Sequence, residues 1–288
     1  MIRDALRQLS RAPRVAIFVA TEPIEALIEL DAQLKERREH RRPACLYEAE
    51  SGWERRLHAI LGLPWPCAAV SEFWALWPKV IATLNAKGLR IGRATFGRYN
   101  DGDPGFVRAV WCLTRHLQPA KVVETGVARG FTSRFILEAL ERNGTGHLWS
   151  IDYPPPLKRG LREQVGAAVG NGFHDRWSYI RGSSRRRLPG LLSRLGQIDL
   201  FVHDSRHTEH NVLFELDRAW AALRPGGALV VDDIDLNWGF NSFPRRYSGH
   251  RSLICSAEPL QPDPPRFDGK GLFGIIRKDA PEDAEFKG

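Results

Sequence analysis

The chain has 288 residues, 43% hydrophobic and 26% charged, the balance of a soluble globular protein with room for one large or two small domains. Its +8 charge gathers at Arg37, Arg38, Arg41 and Arg42 and again at Arg185, Arg186 and Arg187, but no nucleic-acid-binding motif accompanies it, so a solvated basic face is the simpler reading. The early apolar run Val15 to Ala20 is too short for a membrane span or an export signal, and the four cysteines (Cys45, Cys67, Cys112, Cys255) form no C-x-x-C pair; both point to free thiols in the cytoplasm.

Residues 1 to about 100 show no alternation of strands and helices. Pro23 to Glu39 is expected to form an amphipathic helix with Ile24, Leu27, Ile28 and Leu34 on one side, preceded by an approximate capping pattern, Thr21-x-x-x-Glu25. The Trp- and Pro-rich stretch Leu61 to Pro78 follows, with Trp65, Trp74 and Trp77, and Ser71 as a candidate cap. Its aromatics fit either a packed core or a cover over a substrate. The turn-rich connector Arg98 to Gly105 marks a boundary, and Phe106 to Leu117 reads as a helix. This gives a mainly helical region 1–100, a domain 101–278 and a polar tail 279–288.

From Lys121 the pattern becomes strand–helix–strand, the signature of an α/β fold with a mainly parallel sheet flanked by helices. Val122 to Glu124, His147 to Ile151, Trp177 to Ile180, Ile198 to Val202 and Ala228 to Val231 are the expected strands, the last after the turn Pro225-Gly226-Gly227. Ser252 to Cys255 and Leu272 to Ile276 are two later ones. The first strand leads through Gly126 and Gly130 into a helix with Phe135, Ile136, Leu137 and Leu140 on one face. Strand, glycine turn and helix let backbone approach a ligand and aim N–H groups at it. The order E-x-G-x-x-x-G resembles the first motif of Rossmann-like S-adenosylmethionine (SAM) methyltransferases rather than G-x-G-x-x-G.

Polar residues recur at the carboxyl ends of these strands, the edge where open parallel sheets bind ligands. Asp152, some twenty residues past the glycine turn, suits a pair of ribose hydroxyls; Tyr153, Pro154 and Pro155 after it read as a rigid loop. Asp204 follows the fourth strand, and Asp232 and Asp233 the fifth. Three carboxylates drawn together repel unless a cation resolves the repulsion, and all-oxygen donors suit Mg²⁺, with Mn²⁺ or Ca²⁺ as alternatives. A capping role for Asp232 or Asp233 is the competing reading. His207, three residues after Asp204, would face the same way if a turn or helix begins at Ser205 and could take a proton near neutral pH. His203 and His210 compete for that role.

At these residues the chain resembles the metal-dependent SAM O-methyltransferases of the macrocin and macrolide-sugar type, with the related cephalosporin-hydroxylase-like family. The match runs from about Tyr99 to Arg277 and is carried by Glu124 to Gly130, Ser150-Ile151-Asp152, His203-Asp204-Ser205-Arg206-His207, and Leu223-Arg224-Pro225-Gly226-Gly227 through Asp232-Asp233. The resemblance implies a class I SAM methyltransferase fold, with SAM held by Glu124, Gly126, Val127, Gly130, Asp152, Gly182 and Ser183. It also implies a divalent cation such as Mg²⁺ on Asp204, Asp232 and Asp233, with His207 as base. The family often carries Glu-Asp where this chain has Asp232-Asp233. The expected partner is a small molecule with a hydroxyl group, with no membrane and no nucleic acid. A homo-oligomer is compatible with the sequence. The alternatives are a metal-independent methyltransferase and a non-catalytic binding module with a basic surface. The first hundred residues, which match nothing in the family, are where substrate choice is expected to lie.

Overall fold

The structure, a computed structural model, describes residues 12–39, 42, 45–96, 99–154, 158–258 and 271–280. Arg41, Arg98, Pro155 and the tail 281–288, all invoked above, lie outside the described residues.

The N-terminal region opens with α1 (Ala12–Thr21), α2 (Pro23–Glu39), α3 (Trp53–Leu61) and α4 (Ala68–Ala86). Ser71 lies inside α4, whose first-turn cap position is Cys67, and Thr21 closes α1, donating its hydroxyl back to the Ile17 carbonyl. Neither is an N-cap. The antiparallel hairpin β1 (Gly92–Phe96) and β2 (Tyr99–Asp101) follows, where no strand was expected. Arg129 donates to the Arg90 and Thr95 carbonyls there, a distant contact that no local pattern announces.

Next come α5 (Pro104–Leu117), β3 (Lys121–Thr125), α6 (Phe131–Asn143), β4 (His147–Asp152), the single turn α7 (Arg159–Arg162), β5 (Trp177–Arg181) and α8 (Ser184–Leu195). The chain continues through β6 (Ile198–His203), α9 (Glu209–Ala222), β7 (Leu223–Val231), a short 3₁₀ turn Ile234–Leu236, α10 (Gly239–Ser242), β8 (His250–Ser256) and β9 (Leu272–Lys278). β7 begins earlier than expected and takes in the Pro225-Gly226-Gly227 segment.

The seven-stranded sheet has the order β5-β4-β3-β6-β7-β9-β8; β3 to β7 pair in parallel, while β9 runs antiparallel to both β7 and β8. Chain order reverses between β3 and β6, where a crevice opens at the carboxyl edge. Alternation along each strand sorts side chains to two faces. Val122, Leu200, Val202 and Val230 join Phe73, Trp111 and Phe135 on one face, and Val123, Phe201, Leu229 and Val231 join Leu188, Val212 and Leu216 on the other.

Phe73 of α4, Trp111 of α5 and Phe135 of α6 are fully buried in one cluster with the sheet, each burial contributing about 1.5–3 kcal/mol. Phe73 and Trp77 stack on Phe135, and Trp77 meets Phe131 edge-on. Phe73 and Trp77 thus serve the core, Trp65 and Trp74 are exposed, and none of the three tryptophans lines the crevice. α2 is attached differently. Ile24, Leu27 and Leu34 face outward at half exposure or more, while Glu25 and Ala32 are buried, so the expected apolar face is not the inward one. An acidic stripe, Glu22, Glu25, Glu29, Glu36 and Glu39, is set at helical spacing and meets Arg181, Arg186, Arg206 and the backbone N–H of Glu209. The solvent-facing pairs Arg181–Glu22 and Arg206–Glu36 contribute only about 0–1 kcal/mol each, less than the burial of an aromatic such as Phe73 that fixes α4.

Candidate functional site

A cavity of about 720 Å³ lies in the crevice at the β3–β6 switch point, roofed by Ile28, Glu29, Ala32, Gln33 and Glu36 of α2. Its floor is the loop after β3, with Gly126, Val127 and Ala128, joined by Asp152, Gly182 and Ser183 from the ends of β4 and β5. Asp204, His207, Asp232 and Asp233 form its far wall.

The glycine loop is built by contacts that a side chain would break. Gly126 has φ +86°, and a Cβ there would stand 1.7 Å from the Asp204 carbonyl oxygen. That loop can therefore cross the end of β6 only with glycine, and a Gly126→Val protein would disturb the fold before it reported on any ligand. Gly130 has φ +75° and its Cβ would meet Gly166 Cα at 2.9 Å; it serves helix-to-loop packing and does not line the cavity. Glu124 does not line it either. It is fully buried beneath the loop, where Ser133 and Ser150 donate to its Oε2 at 2.6 and 2.7 Å. Burial raises its carboxyl to about 7 despite those bonds. Glu124 thus binds β3, β4 and α6 together below the floor.

Asp152 does face the cavity. Its Oδ2 accepts from Ala128 N–H at 3.1 Å, so one carboxylate both braces the loop and lines the opening. Burial pushes it up to about 6, against the backbone N–H groups of Ala128, Tyr153 and Val127. Ser183 lines the wall, but its N–H is already aimed at Glu25 of α2, 3.2 Å from Oε1.

At the far wall the expected acids do converge, with one change of membership. Donor atoms of Asp204, His207 and Asp232 lie within 4.8 Å of one another. His207 Nε2 stands 3.7 Å from Asp204 Oδ1 and 3.6 Å from Asp233 Oδ2, and its Nδ1 is buried with no hydrogen-bond partner among the described residues. Burial lowers the His207 pKa, opposed by the Asp233 charge. Burial, then the charges of Asp233 and Asp204, raise the Asp232 carboxyl well above its usual range. Asp233 starts the 3₁₀ turn at φ +49° and makes no capping bond through its side chain, so the capping reading fails for it. No helix starts at Ser205: residues 204 to 208 are irregular, and α9 begins at Glu209 with Thr208 as cap. Asp204 and His207 meet across a loop.

Neither His203 nor His210 lines the cavity. His203 is wholly buried behind the wall, its ring edge-on to His207 at 5.6 Å between centroids and its Nδ1 2.6 Å from Glu215 Oε2, and His210 Nε2 contacts Lys35 Nζ at 2.6 Å. Glu215 was not foreseen. It is fully buried on α9 and gathers Thr125, His203, Ser205 and Asn211 through its two oxygens. Asp103 was also missed. It caps α5 through Gly105 N–H, accepts from Glu258 N–H, lines the cavity, and is raised by burial to about 7. The acidic spacing of α2 was a readable signal for the roof; nothing local marks Glu215. Arg185 donates to the His210 carbonyl, Arg186 meets Glu25 and Arg187 donates to the Arg181 carbonyl, while Arg37, Arg38, Arg186 and Arg187 stay exposed, as a solvated basic face requires.

Residues 123–234 match the family model described as a methyltransferase domain. A search of curated proteins finds no match. Among solved structures the chain is similar to the O-methyltransferase TomG from Streptomyces achromogenes, involved in tomaymycin synthesis and solved in complex with SAM. The identity is 16% and the TM-score 0.51, over 80% of this chain and 100% of that one. A Klebsiella pneumoniae protein described as an O-methyltransferase is similar at 16% identity and a TM-score of 0.51, over 80% of this chain and 97% of that one. These likenesses fix the fold: a Rossmann-like methyltransferase sheet with flanking helices. Among the described residues no helix is long and apolar enough to cross a membrane.

Proposed function

We propose that the chain is a SAM-dependent O-methyltransferase acting on a hydroxyl of a small molecule, with help from a divalent cation. One observation carries this reading: a single cavity joins a glycine loop braced by Asp152 to a far wall where Asp204, His207 and Asp232 converge. The methyltransferase-domain match over the same segment supports it.

The donor set fits a cation. Two carboxylates and an imidazole reach a common point, and the Asp232 carboxyl is raised by burial and by neighbouring negative charge that a cation would neutralise. Two carboxylates suit Mg²⁺, Mn²⁺ or Ca²⁺, whereas an imidazole ligand would favour a borderline metal such as Zn²⁺ or Fe²⁺. When bound, SAM supplies an electrophilic methyl group and the cation supplies Lewis acidity that eases deprotonation of the acceptor. The residues do the rest. Asp152 seats the donor's ribose hydroxyls. Asp204 and Asp232 hold the cation. His207 takes the acceptor's proton, and Asp233, 3.6 Å from its Nε2, steadies the resulting imidazolium. The roof of α2 excludes water and reads the acceptor, the substrate-cover role expected for the N-terminal region.

A second reading follows from the convergence itself: His207 as a third cation ligand rather than the base. Cation stoichiometry in a His207→Ala protein separates the two, being kept for a base and lost or weakened for a ligand.

The test is transfer of labelled methyl from SAM to hydroxyl-bearing metabolites, before and after cation removal. Label should appear on an acceptor oxygen, disappear once EDTA has stripped the cation, and return on adding Mg²⁺ or Mn²⁺. Full transfer after confirmed removal would leave a metal-independent methyltransferase. SAM binding without transfer to any acceptor, together with salt-sensitive retention on heparin, would favour the binding module.

A further inference from the structure

The described residues contain a second group of convergent donors, remote from the cavity. His58 on α3, Cys67 at the cap of α4 and His116 in the last turn of α5 place one donor atom each within 4.8 Å of the others. Cys67 Sγ and His116 Nε2 are 3.0 Å apart. The rings of His58 and His116 meet edge to face at 5.3 Å between centroids. None of the three lines the cavity.

We infer that His58, Cys67 and His116 form a zinc site that pins the N-terminal helices to α5. Three features of the geometry carry this. First, His58 is 1% exposed, and its Nδ1 lies 2.7 Å from the Glu54 carbonyl oxygen, while its buried Nε2 has no hydrogen-bond partner among the described residues. A histidine with one ring nitrogen donating to a backbone carbonyl and the other left bare is the arrangement found in metal ligands, where the donated bond fixes ring and tautomer. An unsatisfied buried nitrogen costs about 1–3 kcal/mol otherwise. Second, the donor set is one sulfur and two imidazoles, which selects Zn²⁺ over the hard cations that suit the carboxylate wall. Third, the site is built and reachable. The Trp65 ring leans on His58 at 4.9 Å between centroids, tilted by 55°, Cys112 belongs to the core cluster against which Cys67 packs, and Cys67 and His116 keep partial exposure through which an ion can enter.

On binding, the Cys67 thiol gives its proton to solvent and the sulfur lone pair forms the bond; both imidazoles bind as neutral rings, and nothing is oxidised or reduced. The three ligands come from α3, α4 and α5, so the ion would staple two N-terminal helices to the helix that leads into β3.

Cobalt tests this in the full-length, fully reduced protein. Co²⁺ bound by a thiolate gives a sulfur-to-metal charge-transfer band, which the carboxylate and imidazole donors of the cavity cannot produce. One equivalent of Co²⁺ should raise that band in wild type, and one equivalent of Zn²⁺ should abolish it. Asp204→Asn should keep the band in full; Cys67→Ser and His58→Gln should lose it. Tm of the wild type should rise with free zinc. Absence of the band in wild type, with all four thiols titrating as reduced, would overturn the site whether or not any variant folds. A band surviving in Cys67→Ser would also overturn it.

Discussion

His207→Ala is expected to lower methyl transfer by ~10²–10⁴-fold, the usual effect of removing a positioned base, while SAM affinity stays within about twofold of wild type. The expectation rests on position. His207 closes the far wall between Asp204 and Asp233, whereas the donor seat is built by the loop after β3 and Asp152, so the two can fail separately. The loss should fall on kcat with little change in KM for SAM, since the imidazole contributes to the proton transfer rather than to seating the donor. His210→Ala is the clean control: that ring contacts Lys35 and does not line the cavity. His203→Ala is a poor control, because it would strip the buried partner of Glu215. Equal turnover in His207→Ala and wild type would move the base elsewhere on the wall.

The largest stability loss is expected at Glu215. Removing one partner of a buried charged network strands the others, at about 3–5 kcal/mol. Glu215→Ala would leave Thr125, Ser205 and Asn211 short of an acceptor and His203 without its Nδ1 partner, all in the layer beneath the Asp204–His207 loop. Urea denaturation measures this directly. Glu215→Gln keeps the shape and one acceptor and should lose roughly 1–3 kcal/mol. The network also has a pH signature. Burial works against ionisation, but the His203 charge and the gathered donors hold Glu215 well below the ordinary carboxylate range. A depressed carboxylate stabilises above its unfolded pKa and loses that contribution as pH falls through the folded value. The gap between wild type and Glu215→Gln should therefore be widest near neutrality and close in acid. A gap that widens in acid would contradict the assignment.

Much of this was legible along the chain because parallel strands buried on both faces are written as short β-branched runs, and the sheet edge collects whatever follows them. Val122-Val123 and Leu229-Val230-Val231 announce their strands, and Asp152, Asp204, Asp232 and Asp233 inherit their places from strand order alone. What was not legible depends on contacts between distant segments. Ile24, Leu27 and Leu34 follow a helical stripe, yet α2 turns its acids inward, because Arg181, Arg186 and Arg206 wait there. A hydrophobic pattern cannot see those partners. Glu124 and Gly130 sit in the motif that suggests ligand contact, but they serve the loop from below, as a hydroxyl-bonded acid and a packing glycine. Glu215 looks like any helix acid until α9 folds against β6 and buries it.

The most direct measurement is a calorimetric titration of SAM into the wild-type protein and into Asp152→Asn. One SAM should bind per chain in wild type. In Asp152→Asn the carboxylate that both braces Ala128 and faces the cavity becomes an amide that keeps its shape but loses its charge and one acceptor. Affinity for SAM should fall about 10-fold or more, the equivalent of losing one charge-assisted hydrogen bond, with an unchanged melting curve showing that the fold is intact. No heat of binding in wild type, or equal affinity in a folded Asp152→Asn, would contradict the assignment of this cavity to SAM.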